Sequence, residues 1–191
     1  LGSFEGGSAI LASEQILLHG LNTSVVAVDT FLGDHRVLWE RSPEERRHLL
    51  RPDATISLFN RFRTNVRRAG LQSCVLPLPA TSVVALKLVH SLAKRQITPL
   101  PEVIYLDSAH EEGEVLLELN LAWKALAPGG VLFGDDWLLP EDDEDGTYLE
   151  GDQLDDDWGL KIQSLRTLGR VRPGFFISYN SFQWFMKKLP N

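Results

Sequence analysis

The stretch "VIYLDSAHEEGEVLLELNLAWKALAPGGVLFGDD", residues 103–136, decides the fold. A short apolar run ends in Asp107, a helical pattern follows over 111–126, and a second apolar run ends in Asp135 and Asp136. Unbroken apolar runs are typical of strands buried on both faces, and a helix between two such runs is the βαβ unit of a parallel sheet. The stretch therefore predicts two neighbouring parallel strands joined by a helix.

The same alternation of strands and helices continues along most of the chain. The helix over 111–126 is amphipathic, because four apolar residues fall on one stripe: Val115, Leu119, Ala122 and Leu126. Further helices are predicted over 8–19, 54–69 and 81–94, and further strands over 24–29 and, less strongly, 73–79. We therefore expect an α/β fold with a mostly parallel sheet.

The C-terminal part has a different pattern. "GFFISYNSFQWFMKK", residues 174–188, places two aromatic-rich runs around a Tyr-Asn-Ser turn, which predicts an antiparallel hairpin. Before it, we interpret the acidic stretch 141–157 as a solvated loop and expect a short helix near 158–168. The polar segment 30–53 is long for a connection, so it is either a surface insertion or a lid over the site.

Composition limits the class of protein. With 191 residues, 43% of them hydrophobic, the chain is long enough for one domain with a proper core, spanning 1–191. A net charge of −7 argues against nucleic acid or an anionic membrane surface as the main partner and favours a small molecule. The single cysteine, Cys74, excludes an intramolecular disulfide framework and is typical of the cytoplasm or another reducing environment. No apolar run approaches about 18 residues, so no membrane span is expected.

The first residue does not look like a natural start, because the only methionine is Met186. We therefore expect an upstream segment. A targeting signal in that segment, and assembly of the protein into a homo-oligomer, both stay open.

A glycine-rich loop, "GSFEGGS" at 2–8, precedes the first predicted helix. Gly2, Gly6 and Gly7 allow a sharp turn close to a ligand, and the helix offers its first amides and the Ser8 hydroxyl to an anionic group. The spacing differs from the G-x-G-x-x-G of dinucleotide-binding proteins. Taken alone, the loop is equally consistent with a turn that binds nothing.

Asp29 strengthens the case for a ligand. It ends the predicted strand 24–29, roughly 20 residues after the loop, where an acid can accept hydrogen bonds from both ribose hydroxyls of a nucleoside. The alternative is an aspartate that caps its own turn at the start of a loop.

Acidic residues follow both strands of the stretch 103–136. In a parallel sheet these strands lie about 4.8 Å apart, which brings Asp107 together with Asp135 and Asp136 at the carboxyl edge. Carboxylates this close repel each other unless a cation lies among them, and Mg²⁺ accepts oxygen ligands at about 2.1 Å. The sequence therefore predicts a divalent-metal site, with capping of the following helix or loop as the alternative.

His110 lies three residues after Asp107, at the same edge. An imidazole has an ordinary pKa near 6.5 and is suited to take a proton from a hydroxyl that a cation has made more acidic. We therefore consider His110 a candidate general base. A polar cap at the start of a helix is the alternative.

Several motifs together carry a family resemblance: "LGSFEGGSAI", "VVAVDTFLG", "VLPLPATSVVAL", the stretch from "VIYLDSAH" to "FGDDW", and "QWFMKK". The chain resembles the class I S-adenosylmethionine-dependent methyltransferases. Within them it is most similar to methyltransferase family 24, related to the metal-dependent catechol and macrolide-sugar O-methyltransferases. The resemblance covers most of the chain; 30–53 and 138–157 have no clear counterparts. It implies a Rossmann-like sheet, mostly parallel with a C-terminal antiparallel hairpin, whose first strand is truncated here.

The resemblance also implies a set of residues that bind S-adenosylmethionine. Ser8 would lie near the cofactor's carboxylate, and Asp29 would bind its ribose. Four other residues of the glycine loop would hold the methionine part of the cofactor: Gly2, Ser3, Phe4 and Gly6. The three residues that follow the second predicted strand would border the adenine: Ala80, Thr81 and Ser82.

For the chemical step, the resemblance implies methyl transfer to a hydroxyl of a small molecule. Asp107, Asp135 and Asp136 match the divalent-metal ligands of the catechol-type enzymes, although the last position is commonly an asparagine there. His110 stands where those enzymes have a lysine as general base, which would shift the pH optimum downward.

Three other functions compete with methyl transfer. Similar domains act as hydroxylases in antibiotic pathways, and a binding module could keep the fold without catalysis. The intact acids and His110 argue against a catalytically inactive module. An NAD-dependent dehydrogenase is disfavoured by the spacing of the loop and by the C-terminal hairpin.

Overall fold

A computed structural model describes residues 1–33, 50–51, 53, 55–108, 114–135 and 183–190. The chain divides into two compact units, one of residues 2–81 and one of Leu1 together with 82–191. The prediction of a single domain over 1–191 stays a prediction. Among the described residues, no helix has both the length and the apolar character needed to cross a membrane.

The unit of residues 2–81 contains a parallel strand pair. Strand β1 (Val25–Asp29) lies beside strand β2 (Val75–Pro79), in register from Val25 opposite Val75 to Asp29 opposite Pro79. Both strands match the predicted apolar runs. Helix α1 (Gly7–Leu18) precedes β1, as the sequence predicted.

Helix α2 (Leu58–Arg68) supplies the core of this unit. Leu58, Phe62 and Val66 recur at intervals of four, so they share one helix face, and all three are buried. The helix begins later than residue 54, where the sequence placed its start. The reason is that Ile56 pairs with Leu50 in an antiparallel bridge, which keeps the chain extended there.

The second unit contains a three-stranded sheet. Strand β3 (Val103–Leu106) lies parallel to β4 (Val131–Gly134), and β4 also pairs antiparallel with β5 (Trp184–Lys187). Strand β5 belongs to the predicted C-terminal hairpin, whose first aromatic run lies outside the described residues. The predicted mostly parallel α/β fold, with an antiparallel strand at its C-terminal end, is confirmed.

Two helices pack in this unit, α3 (Ser82–Lys94) and α4 (Glu114–Ala125). The stripe predicted for the helix after β3 is confirmed, since Leu119, Ala122 and Leu126 are fully buried and Val115 packs against them. They share a core with Leu132 of β4, so the helix covers the sheet with its apolar face. The predicted short helix near 158–168, the acidic stretch 141–157 and most of the segment 30–53 lie outside the described residues.

Candidate active site

The glycine loop leads into α1 and is hydrogen-bonded to the C-terminal end of β1. The backbone N–H of Gly2 donates to the carbonyl oxygen of Val28 at 2.9 Å, and the Ser3 hydroxyl donates to the same oxygen at 3.1 Å. Ser3 is buried. The loop is therefore attached to β1 through both backbone and side chain, and the Ser3 hydroxyl contributes to that attachment.

Gly6 is required at the turn into α1. Its φ of +99° lies in the left-handed region, which side chains rarely tolerate, and a Cβ atom there would lie 3.1 Å from the ring of Phe62. The loop thus packs against the core of its own unit. Ser8 follows in the first turn of α1 and is exposed, at the helix end that favours anions.

Both oxygens of the Asp29 carboxylate accept backbone hydrogen bonds. Phe31 N–H donates to Oδ1 at 2.6 Å, and Phe4 N–H donates to Oδ2 at 2.8 Å. The first bond is the local turn cap that the sequence left open as an alternative, whereas the second ties Asp29 to the glycine loop. Each carboxylate oxygen has a further lone pair, so these bonds leave room for ribose hydroxyls.

The residues after β2 lie next to Asp29. The backbone N–H of Ala80 donates to the carbonyl oxygen of Asp29 at 3.0 Å, and Thr81 is exposed beside it. The structure thus brings the glycine loop, Asp29 and Ala80 together in one unit. Ser82 belongs to the other unit, where it begins α3.

Asp107 and Asp135 follow directly on neighbouring parallel strands. The last residues of β3 and β4, Leu106 and Gly134, are register partners, so the two aspartates come next to each other at the carboxyl edge. The backbone N–H of Asp135 approaches the carbonyl oxygen of Leu106 at 3.4 Å, and that of Asp107 donates to the carbonyl oxygen of Leu1 at 3.1 Å. The predicted adjacency of these two acids is therefore observed.

The other two residues of this predicted site, His110 and Asp136, lie outside the described residues. Within the part of the chain that the structure describes, no group of three or more histidine, cysteine or acidic side chains could hold a metal ion. Two adjacent carboxylates nevertheless fit the hard oxygen ligands that Mg²⁺ prefers.

Trp184 of β5 holds the backbone around Asp135. Its indole Nε1–H donates to the carbonyl oxygen of Asp135 at 3.1 Å. A Cβ atom on Gly134 would lie 2.5 Å from Trp184 Cζ2 and closer still to the carbonyl oxygen of Leu106. Glycine at 134 is therefore needed for the indole and β3 to approach this closely.

A buried acid lies behind the Asp107 segment. Glu118 of α4 is only 5% exposed. Its Oε2 accepts a hydrogen bond from the Ser108 hydroxyl at 2.9 Å, and its Oε1 accepts one from the Ser82 hydroxyl. Such bonds offset part of the cost of burying a carboxylate.

The comparison with protein families decides the assignment. A family model described as a methyltransferase domain, that of methyltransferase family 24, matches residues 1–137. The chain belongs to this family. The resemblance to class I S-adenosylmethionine-dependent methyltransferases is thereby confirmed, and the chain is an enzyme domain for methyl transfer.

Solved structures show the same fold. An O-methyltransferase from Bacillus cereus in complex with SAH has 16% identity and a TM-score of 0.57, covering 97% of this chain and 70% of that one. The O-methyltransferase NovP has 15% identity and a TM-score of 0.58, covering 97% and 69%. The cofactor-bound protein Rv0187 from MTB has 18% identity and a TM-score of 0.58, covering 100% and 71%. No curated protein matches the chain.

Three side chains of this methyltransferase domain were missed by sequence reasoning: Glu5, Glu118 and Trp184. The Glu5 carboxylate pairs with Arg61 of α2 at 3.0 Å, and its carbonyl oxygen accepts a bond from the Asn65 side chain at 3.0 Å. Only Glu118 had a local signal, as a lone acid within the apolar run "VLLEL". The individual roles predicted for the site residues stay predictions.

Proposed function

We propose that this methyltransferase transfers the methyl group of S-adenosylmethionine to a hydroxyl of a small molecule. The transfer is assisted by a divalent metal ion, for which Mg²⁺ is the first candidate. The observation that carries the proposal is the adjacency of Asp107 and Asp135 on neighbouring strands of a family-24 domain. Two neighbouring carboxylates provide oxygen ligands at the edge where open parallel sheets bind their ligands. The O-methyltransferase names of the similar structures support oxygen as the acceptor atom.

The proposed cofactor site uses the glycine loop and the ends of β1 and β2. The backbone of Gly2 to Gly6 holds the methionine part, Ser8 lies near its carboxylate, and Asp29 accepts hydrogen bonds from the ribose hydroxyls. Ala80, Thr81 and Ser82 border the adenine. The bond from Phe4 N–H to Asp29 supports this arrangement, because it holds the loop beside the carboxylate before any ligand binds.

The proposed chemistry needs a metal site and a base. A divalent cation held by Asp107, Asp135 and Asp136 would lower the pKa of the acceptor hydroxyl. His110 would take the hydroxyl proton on an imidazole nitrogen. S-adenosylmethionine, when bound, would supply the methyl group and leave as S-adenosylhomocysteine. An imidazole has a lower ordinary pKa than a lysine ammonium group, so the pH optimum should lie lower than in an enzyme with a lysine as base. The protein residues contribute mainly by orientation and electrostatics.

The test uses the complete protein, S-adenosylmethionine labelled in its methyl group, and a panel of phenols and sugars. We expect label in an O-methyl product, with turnover lost on addition of EDTA and restored by Mg²⁺. Asp136→Ala should abolish the metal-stimulated turnover while cofactor binding survives, and exposed Asp53→Ala serves as the matched control. Turnover indifferent to both EDTA and Asp136→Ala would exclude the metal mechanism. Cofactor binding without transfer to any acceptor would favour a catalytically inactive module.

We further propose that this chemistry takes place in the cytoplasm and within a single domain over 1–191. The proposal on location rests on the single cysteine, and the proposal on domain organisation rests on the length of the chain. The proposed partner is a small-molecule acceptor rather than nucleic acid or a membrane, since the net charge is −7.

A further inference from the structure

One buried carboxylate connects two segments that the proposed function uses. Glu118 lies on α4 and accepts hydrogen bonds from Ser82, the first residue of α3, and from Ser108, which directly follows Asp107. Ser82 is a proposed neighbour of the adenine, and Asp107 is a proposed metal ligand. A substitution at Glu118 therefore removes or alters hydrogen bonds to both segments.

Glu118 lies on the buried side of α4, next to Leu119 in the chain, where most side chains are apolar. Burying a charged group carries a desolvation cost, and replacing buried ionic groups by apolar ones is often neutral or stabilising. The carboxylate at 118 accepts hydrogen bonds from two hydroxyls, so it restricts the positions of both partners.

We infer that Glu118 is a positioning residue for two segments of its own unit: Ser82, a proposed neighbour of the adenine, and Ser108, which follows the proposed metal ligand Asp107. Its Oε1 holds Ser82 at the start of α3, and its Oε2 holds Ser108 so that the Asp107 side chain is presented at the edge of the sheet. This inference rests on the proposed function. It adds that the affinities for cofactor and metal depend on the same buried side chain.

The test compares Glu118→Gln with Glu114→Gln in the complete protein. Glu114 lies on the same helix and is exposed, so it controls for the loss of one negative charge from α4. The readouts are the Kd of S-adenosylhomocysteine by calorimetry, the Kd of Mn²⁺ as the metal probe by electron paramagnetic resonance, and Tm. We expect Glu118→Gln to raise both Kd values about tenfold, since a hydrogen bond to a charged group contributes about that much. Glu114→Gln should change each by less than about twofold.

Two further variants keep the inference testable if Glu118→Gln does not fold. Ser82→Ala and Ser108→Ala each remove one hydroxyl that donates to the carboxylate and leave the other hydroxyl in place. We expect Ser82→Ala mainly to raise the Kd of S-adenosylhomocysteine and Ser108→Ala mainly to raise that of Mn²⁺. A lowered Tm with both Kd values unchanged in these variants would mean that the cluster is only structural and would overturn the inference. Failure of the parent protein to bind S-adenosylhomocysteine would instead overturn the proposed function, and this inference with it.

Discussion

The carboxylate of Asp29 accepts a hydrogen bond at 2.8 Å from the backbone N–H of Phe4, 25 residues earlier in the chain. Phe4 has a φ of +44°, in the left-handed region that costs a non-glycine residue about 1 kcal/mol or more. The bond to Asp29 helps to offset that strain. The conformation of the glycine loop therefore depends on the side chain that is also proposed to bind the ribose.

Replacing Asp29 should weaken the loop and the cofactor site together. In Asp29→Asn an amide group replaces one oxygen, so either Phe4 N–H or Phe31 N–H faces a donor instead of an acceptor. We expect the Kd of S-adenosylhomocysteine to rise at least tenfold, and the free energy of unfolding to fall by about 1–3 kcal/mol. Calorimetry and urea unfolding measure the two effects.

Asp53 provides the matched control for this change. Its Oδ1 accepts the backbone N–H of Thr55 at 3.0 Å, so it caps a turn as Asp29 does, but it belongs to no proposed site. Asp53→Asn should leave the Kd of S-adenosylhomocysteine within about twofold of the parent value. Equal Kd values for the two variants would argue that Asp29 has a structural role alone.

Because Asp107 and Asp135 are adjacent, Asp135→Asn should raise Tm relative to the parent protein without metal and lower it relative to the parent with metal. Like charges on adjacent strands destabilise a sheet by up to about 1 kcal/mol, so Asp135→Asn should raise Tm slightly when the protein is free of metal. Mg²⁺ should stabilise the parent by binding to the folded state, and it should stabilise Asp135→Asn much less. Thermal unfolding with EDTA and with Mg²⁺ measures both. An equal Mg²⁺-dependent rise in Tm for parent and variant would rule out Asp135 as a metal ligand.

Gly134→Ala tests the close approach of Trp184 to β4. The added Cβ atom would crowd the indole and the carbonyl oxygen of Leu106, and overpacking of this kind costs about 1–3 kcal/mol. We expect that loss in the free energy of unfolding, together with a change in tryptophan fluorescence. At Gly7 a Cβ atom meets nothing within 4 Å, so Gly7→Ala should not destabilise the protein and serves as the control. A neutral Gly134→Ala would show that the indole is not held against β4.

Lys188 ends helix α4 by binding its last carbonyl groups. Its Nζ donates to the carbonyl oxygens of Trp123 at 2.9 Å and Leu126 at 2.6 Å, at the helix end that favours a cation. Lys188→Met should therefore lower the free energy of unfolding by about 1–2 kcal/mol, measured by urea titration. The neighbouring exposed Lys187 offers the control, since Lys187→Met removes the same charge without these bonds. If both variants lost the same free energy of unfolding, the effect would be due to net charge alone.

The strands and the buried stripe of α4 could be predicted because their signals are local. An apolar run such as 103–106 and a spacing of three to four such as that of Leu119 and Ala122 follow directly from the geometry of strands and helices. The start of α2 was placed too early for the opposite reason. Its boundary depends on the bridge between Leu50 and Ile56, which no periodicity reveals.

The two interpretations of Asp29 show where local reasoning stops. Its bond to Phe31, two residues away, is of the kind that an aspartate makes wherever a loop begins, and the sequence anticipated it. Its bond to Phe4 joins residues 25 positions apart and appears only once β1 and the glycine loop are placed together.

Local patterns along the chain were enough to predict the fold class and the two neighbouring strands that end in acids, whereas the family was indicated by the resemblance of several motifs and shown by the family model. The reason is that backbone periodicity and burial act over a few residues at a time. Packing decided which side chains support those acids. Glu118 accepts a hydrogen bond from Ser82, 36 residues away in the chain, and Trp184 donates one to the carbonyl oxygen of Asp135, 49 residues away. Such contacts form only when distant segments share one core, and they involve the backbone or the chain neighbours of the acids that the sequence singled out.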